Sequence, residues 1–211
     1  MKRICLLLLP VLLLAGCGGT GKQAVEQRVM EAVAAYEASP GVQLRVSVRE
    51  ETGETIRVQN EGTLWICGDD WLQETQVASF EGTVPVITLQ YAGSCLQYAN
   101  DRLTRSETPV DGIGAVQFDD VDSYSLAADG SCVARSQHKL SKEQRQKGIK
   151  SQTVEVELNP QGELIRITNR RDYGERGAQV QEVKVVSWDA AACEEKIQAA
   201  WDRFAAETPP E

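Results

Sequence analysis

Residues 42–49, Val-Gln-Leu-Arg-Val-Ser-Val-Arg, alternate strictly between apolar and polar side chains. A period of two is typical of a β-strand that buries one face and leaves the other in water. The same alternation returns at residues 154–158, and after an Asn-Pro-Gln-Gly turn we expect residues 164–170 to pair with them as the second strand of a hairpin. The pattern therefore predicts an antiparallel sheet whose strands bury alternate side chains.

This alternation also predicts which side chains face the core. We expect the apolar members to point toward covering helices: Leu44, Val46, Val48, Ile56, Val58, Val154, Val156, Leu158, Ile165 and Ile167. Their polar neighbours should point to water: Arg45, Arg49, Arg57, Glu155, Glu157 and Arg166.

Helical spacing of apolar residues is found at both ends of this strand-rich region. Residues 23–38 form one amphipathic stretch, and Asp189 can cap another that carries Cys193, Ile197 and Phe204 on one face. Residues 106–130 are rich in Pro, Gly and Asp and predict a long loop. The fold class expected is α+β: a curved antiparallel sheet, or half-barrel, with an N-terminal and a C-terminal helix packed on its concave face.

Residues 1–16 have the layout of a bacterial lipoprotein signal peptide. A basic start precedes an apolar run that is too short for a permanent span, and Leu14-Ala15-Gly16-Cys17 resembles a lipobox. The thiol of Cys17 would carry diacylglycerol, and acyl chains such as palmitate would anchor the protein in the membrane. An ordinary signal peptide with a chance cysteine is the alternative.

The lipobox sets the expected domain organisation and location. Residues 17–23 would be the lipidated cysteine and a flexible tether, 24–206 a single domain, and 207–211 a disordered tail. We expect the protein on the extracytoplasmic face of the cell membrane, or on the outer membrane if the organism has one.

Four further cysteines, Cys67, Cys95, Cys132 and Cys193, remain after Cys5 and Cys17 are set aside. An even number in an exported chain suggests two disulfides, and four cysteines allow three connectivities. Strand directions favour Cys67–Cys95 with Cys132–Cys193. Free buried thiols and an all-cysteine metal site are the alternatives.

Composition and missing motifs exclude several functions. The formal net charge of −9 over 211 residues argues against a nucleic-acid partner. No nucleophile elbow, phosphate loop, zinc-protease motif or strand-to-helix dinucleotide fingerprint is present, so we expect no catalytic residues, cofactor or metal site. The only histidine, His138, stands among polar residues, and Asp119, Asp120 and Asp122 lack the rest of a calcium loop.

The layout of the predicted strands resembles the LolA/LolB lipoprotein-carrier superfamily. The stretches that carry the resemblance are Val42–Val48, Gly62–Val77, Val84–Tyr91, Cys95–Arg105 and Val154–Arg170. That superfamily includes lipid-handling lipoproteins of actinobacteria and spore-germination lipoproteins of clostridia. The resemblance implies an incomplete barrel over an apolar cavity that holds acyl chains. On the predicted register, the residues lining it would be Leu44, Val46, Val156, Leu158 and Ile165.

Two binding functions follow from the resemblance. One is a lipid-anchored protein that holds an apolar acyl or lipid ligand in the half-barrel. The other is an envelope scaffold that binds or activates a partner protein, as the germination lipoproteins would imply. Exposed Trp65 and Trp71 beside the Gly68 turn could contact sugar or lipid, or both could instead pack under the helices.

Overall fold

The computed structural model describes residues 21–106, 118 and 120–207. Its helices in these residues are α1 Gly21–Glu37, α2 Lys142–Gln146 and α3 Ala190–Glu207. Its strands are β1 Val42–Thr52, β2 Thr55–Cys67, β3 Asp70–Ser79, β4 Gly82–Tyr91, β5 Ser94–Ala99, β6 Arg102–Ser106, β7 Ser123–Leu126, β8 Cys132–Gln137, β9 Ser151–Leu158, β10 Leu164–Asp172 and β11 Ala178–Ser187. None of the helices in these ranges has the length and apolar character needed to cross a membrane.

The eleven strands form one antiparallel sheet with β1 and β11 side by side near its middle. Strands β1 to β6 proceed from there to one edge. Strand β7 forms the opposite edge, and β8 to β11 return from it to β1. The sheet is curved and open, with α1 before it and α3 after it, so the predicted α+β class is confirmed.

Strand register separates the two faces of the sheet. Residues opposite each other in an antiparallel pair share a face, and successive residues of a strand alternate between faces. Ile66 opposes Trp71, and both belong to the core packed with α1. Trp65 opposes Leu72, and both belong to the core packed with α3. We call these two surfaces the α1 face and the α3 face.

The helices thus lie on opposite faces, although both had been expected on the concave one. Helix α1 contacts β7 to β10, whereas α3 contacts β1 to β4. Strand β3 shows why the sequence did not reveal this arrangement. Trp71 and Leu72 are adjacent, point to different faces and are 4% and 0% exposed, so the alternation that marks a half-buried strand is lost.

The core under α1 is formed as its amphipathic pattern predicts. Leu44, Val156 and Leu158 of the sheet are each 0% exposed and belong to the same cluster as the helix. The helix contributes the side chains that recur every three or four residues along one side: Val25, Val29, Ala32, Val33 and Tyr36.

Helix α3 begins after Asp189, whose Oδ1 accepts a hydrogen bond from the backbone N–H of Ala192 at 3.0 Å, as predicted for a capping residue. Farther along, its aromatic side chains meet those of the sheet. Ring centroids are 5.4 Å apart for Tyr91 and Trp201 and 5.7 Å apart for Tyr98 and Phe204. These pairs fix the helix over β4 and β5.

Most of the predicted register is confirmed. Leu44, Val154, Val156, Leu158 and Ile167 are buried on the α1 face. Val46 and Val48 are half-buried there. The polar neighbours on the other side form ion pairs, including Arg135–Glu155 at 2.5 Å and Arg166–Glu157.

The prediction for Ile56 and Val58 is wrong, because their side chains are 65% and 48% exposed. Val48 opposes Asn60, but the next residue, Arg49, opposes Val58. Gln59 is therefore an extra residue, and this β-bulge moves Ile56 and Val58 to the face of Arg49.

A second bulge affects Ile165, which is only half-buried. Leu164 opposes Leu158 whereas Arg166 opposes Glu157, so Ile165 is the unpaired residue. Leu164, 1% exposed, takes the inward position that had been assigned to Ile165.

The loop expected over 106–130 contains the edge strand β7. All four of its residues are exposed, so no buried face marks it in the sequence. The polar segment 141–148 contains α2, where Ser141 and Gln144 form a capping box.

Candidate ligand groove

The residues predicted to line a cavity form a filled core instead. Leu44, Val156 and Leu158 have no exposed surface, and Val46 packs against the same cluster. Helix α1 packs on β9 and β10, and its valines at 25, 29 and 33 belong to the same buried cluster. An apolar ligand could reach the three fully buried side chains only by displacing the elements packed on them.

A groove of about 630 Å³ lies beside α1. Its volume falls within the range of about 300–1,000 Å³ that small-molecule sites occupy. The residues that line it come from α1, the stretch directly after α1, the β9–β10 turn with the first residue of β10, and the position after β11: Arg28, Glu31, Ala32, Ala35, Ala38, Ser39, Pro40, Gln161, Gly162, Glu163, Leu164 and Trp188.

Small side chains on α1 leave this space open. Ala32 and Ala35 on α1 and Ala38 immediately after it recur every three residues, and their methyl groups line one wall of the groove. The lining stretch from Arg28 to Ala38 extends about 15 Å along the helix axis at 1.5 Å per residue. The groove is thus long and narrow, with an apolar wall.

The opposite wall is the β9–β10 turn. Asn159 fixes it by accepting a hydrogen bond from the Glu163 N–H at 2.9 Å and donating one to the Glu163 carboxylate at 2.7 Å. Gly162 adopts a φ of +86°, which favours glycine. The turn is therefore held in place by its own hydrogen bonds.

Trp188, which packs on the buried Tyr36, lies at one end of the groove, and Arg28 lies toward the other. Tyr36 and Trp188 meet edge to face with ring centroids 6.2 Å apart. Burial, with the nearby Glu37 carboxylate, raises the pKa of Tyr36 to about 12, so its hydroxyl stays protonated. Toward the N-terminal end of the helix, Arg28 donates to the Gly130 carbonyl at 3.1 Å. Arg28 and Glu31 therefore give this end of the groove charged groups that can meet a polar part of a ligand.

The polar residues singled out in the sequence have structural contacts. The Asp122 carboxylate accepts a hydrogen bond from the Gln137 N–H at 2.5 Å, and Asp119 lies outside the described residues. The backbone N–H of His138 donates to the Gln152 carbonyl at 2.9 Å. Within the described ranges, no three His, Cys, Asp or Glu side chains are grouped to hold a metal ion.

Trp65 and Trp71 do not form an exposed aromatic pair. Trp71 is 4% exposed in the α1 core, and Trp65 lies on the other face with the Lys196 ammonium 4.9 Å from its ring centroid. The alternative prediction is confirmed: Trp71 packs in the core under α1 and Trp65 in the core under α3.

All four cysteines of the folded part are free thiols in the structure. The favoured pairing does not fit the register. Cys67 is part of the α3 core. Gln90 opposes both Trp71 and Cys95, so Cys95 lies on the α1 face with Trp71. Cys132 belongs to the α1 core and Cys193 to α3. Each favoured pair would have to bond across the sheet, which disulfide geometry does not allow. Cys17 lies outside the described residues.

No family model and no curated protein matches the chain. Among solved structures, it is similar to lipoprotein LppX of Mycobacterium tuberculosis, with 11% identity, 79% of this chain and 99% of that chain covered, and a TM-score of 0.44. It is also similar to LprF from Mycobacterium bovis, with 13% identity, 80% and 94% coverage, and a TM-score of 0.49. A DUF1329 family protein from Desulfovibrio piger is also similar, with 8% identity, 79% of this chain and 91% of that chain covered, and a TM-score of 0.32. Likeness at this level transfers neither a ligand nor an activity.

Sequence reasoning missed the groove because its residues come from three separate segments, 28–40, 161–164 and Trp188. The alanine spacing at 32, 35 and 38 is visible in the sequence. However, small residues on a helix also occur wherever another element packs closely. Only the position of the β9–β10 turn shows that this side of α1 is open.

Proposed function

We propose that the protein is a non-catalytic, lipid-anchored lipoprotein of the bacterial cell envelope that binds an acyl chain in the groove beside α1. The observation that carries this proposal is the 630 Å³ volume between the alanine side of α1 and the β9–β10 turn. Burial of each methylene of such a ligand contributes about 0.8 kcal/mol. The anchor would be Cys17, on the extracytoplasmic side of the membrane.

The shape and polarity of the groove support this ligand class. Three alanines, Pro40 and Trp188 supply apolar contact, whereas Arg28 and Glu31 supply charged groups near one end. Ser39, Gln161 and Glu163 add polar atoms elsewhere on its margin. An acyl chain with a polar headgroup matches that division. A compact polar metabolite would leave the alanine wall without a partner.

The test is titration of the chain from Thr20 onward, which retains every described element, with a fluorescent fatty acid. Ala35 is exposed in the groove, so Ala35→Trp fills the space without disturbing the core. We expect this variant to lose at least tenfold in affinity. The matched control is Ala34→Trp, because Ala34 is also exposed on α1 but does not line the groove. Equal binding by both variants would contradict the proposal.

A second function is favoured by the exposed apolar residues at one end of the sheet. Phe80, at the tip of the β3–β4 hairpin, is fully exposed, and Ile56 and Val58 are exposed on the adjoining β1–β2 hairpin. Such residues could contact a partner protein of the envelope, as a scaffold requires. Phe80→Ser should then abolish capture of that partner and leave fatty-acid binding unchanged.

A further inference from the structure

Cys67 and Cys193 are brought together by the contact between β2 and α3. Cys67 is the last residue of β2 and is half-buried among the α3 core residues. Cys193 lies in the first turn of α3 and is 1% exposed. The sulfur of Cys193 is hydrogen-bonded to the backbone of Ile66, the residue immediately before Cys67.

Contacts on both sides of Cys193 hold this arrangement. Before it, Ala190 packs on Gly41 so closely that an added Cβ on Gly41 would lie 2.5 Å from the Ala190 Cα and 3.4 Å from the Ile66 carbonyl oxygen. After it, Lys196 lies over Trp65 and forms an ion pair with Glu74 at 3.0 Å. The helix is thus fixed against the end of β2 at positions that bracket Cys193.

The other two cysteines are excluded from this contact. Cys95 on β5 and Cys132 on β8 point to the α1 face, and seven strands lie between them in the sheet order. Of the three pairings that include Cys67, only Cys67–Cys193 joins side chains on the same side of the sheet.

We propose that Cys67 and Cys193 form a disulfide that ties the C-terminal helix to β2 when the protein meets a low-molecular-weight or protein disulfide. This inference does not depend on the proposed ligand. The Cys67 thiolate attacks one sulfur of the donor, forms a mixed disulfide and releases one thiol. The Cys193 thiolate then attacks the Cys67 sulfur and releases the second thiol. The two cysteines lose two electrons and two protons, and the donor gains them.

Exposure sets the order of these steps. Cys67 is the more accessible of the two, whereas the burial of Cys193 keeps it from an external donor. Burial also raises the pKa of both thiols, and the Glu194 and Asp70 carboxylates raise that of Cys67 further. Because the thiolate is the attacking form, the reaction should accelerate as pH rises through the alkaline range.

The experiment treats the full-length protein with oxidised glutathione and maps its disulfides without reduction. Digestion must cleave at acidic residues, because no Lys or Arg separates Cys67 from Cys95. We expect a Cys67–Cys193 peptide and a rise of about 5–15 °C in the unfolding midpoint relative to the reduced protein. Absence of that peptide, or a Cys67–Cys95 or Cys132–Cys193 peptide in its place, would overturn the proposal.

Single variants separate this pair from fortuitous oxidation. Cys193→Ser should accumulate glutathione on Cys67, whereas Cys67→Ser should leave Cys193 unmodified in the folded protein. Cys95→Ser and Cys132→Ser should still form the cross-link. Equal glutathione uptake by Cys67 and Cys193 in these variants would contradict the order of attack and the buried position of Cys193.

Discussion

Leu64 and Trp65 are consecutive in β2, yet Leu64 packs in the core under α1 and Trp65 lies beneath Lys196 of α3. The N-terminal half of the sheet therefore buries apolar side chains on both faces. In the C-terminal half, the α3 face carries ion pairs such as Arg135–Glu155 instead. This difference determines where a substitution should destabilise the fold.

Substitutions at Leu44 and Arg45 test the register directly. Leu44 is 0% exposed in the α1 core, so Leu44→Asp should unfold the domain or destabilise it by about 3–5 kcal/mol, because an unpaired buried charge is poorly solvated. Arg45, whose side chain is 69% exposed, should tolerate Asp at a cost of about 0.5 kcal/mol. Chemical denaturation measures both. Similar losses would mean that the assigned faces are wrong.

The bulge at Gln59 predicts that Ile56 is replaceable. Ile56→Asn should change the free energy of unfolding by no more than about 0.5 kcal/mol, because this side chain is already in water. Ile167→Asn, at a position 9% exposed, should cost about 3 kcal/mol or more. If Ile56→Asn proved as harmful as Ile167→Asn, the pairing without a bulge would be the better description.

Glu51 should contribute pH-dependent stability. Hydrogen bonds from Arg170 and Arg49 lower the pKa of its carboxyl, so the folded state favours the ionised form. This stabilisation is present above the unfolded pKa near 4.5 and disappears as pH falls through the lower folded value. Glu51→Gln should cost about 1 kcal/mol at pH 7, with the difference from the native chain vanishing in acid.

Glu54→Gln is the control for this measurement, since Glu54 is exposed in the β1–β2 turn. It should leave the unfolding free energy unchanged at either pH. An effect of Glu51→Gln that did not vary with pH would exclude the ion pairs as its cause.

Lipidation at Cys17 predicts the distribution of the protein between membrane and soluble fractions. Cys17→Ser should release the protein from the membrane or leave an unprocessed precursor, because serine cannot form the thioether to diacylglycerol. Fractionation and intact mass measure both outcomes. Normal processing together with unchanged membrane association would refute the lipobox interpretation.

The sequence predicted what depends on local pattern: the stripe of α1, the Asp189 cap, the antiparallel hairpins and most of the register. It did not predict the bulges at Gln59 and Ile165. A bulge has no signature in the residue types of a strand, yet it turns the side chains beyond it to the other face of the sheet. Nor could it place α3, since adjacent apolar residues such as Trp71 and Leu72 are buried on opposite faces of the sheet. The groove escaped because a cavity depends on the distance between elements that are far apart in the chain.

The central claim, an acyl ligand beside α1, is tested most directly by a photoreactive fatty acid. After irradiation and digestion, we expect the label on peptides that contain residues 28–40, 161–164 or Trp188, and its loss when excess unmodified fatty acid competes. Ala35→Trp should reduce this labelling and Ala34→Trp should preserve it. Labelling spread over the exposed residues Ile56, Val58 and Phe80, with none in the groove, would contradict the claim.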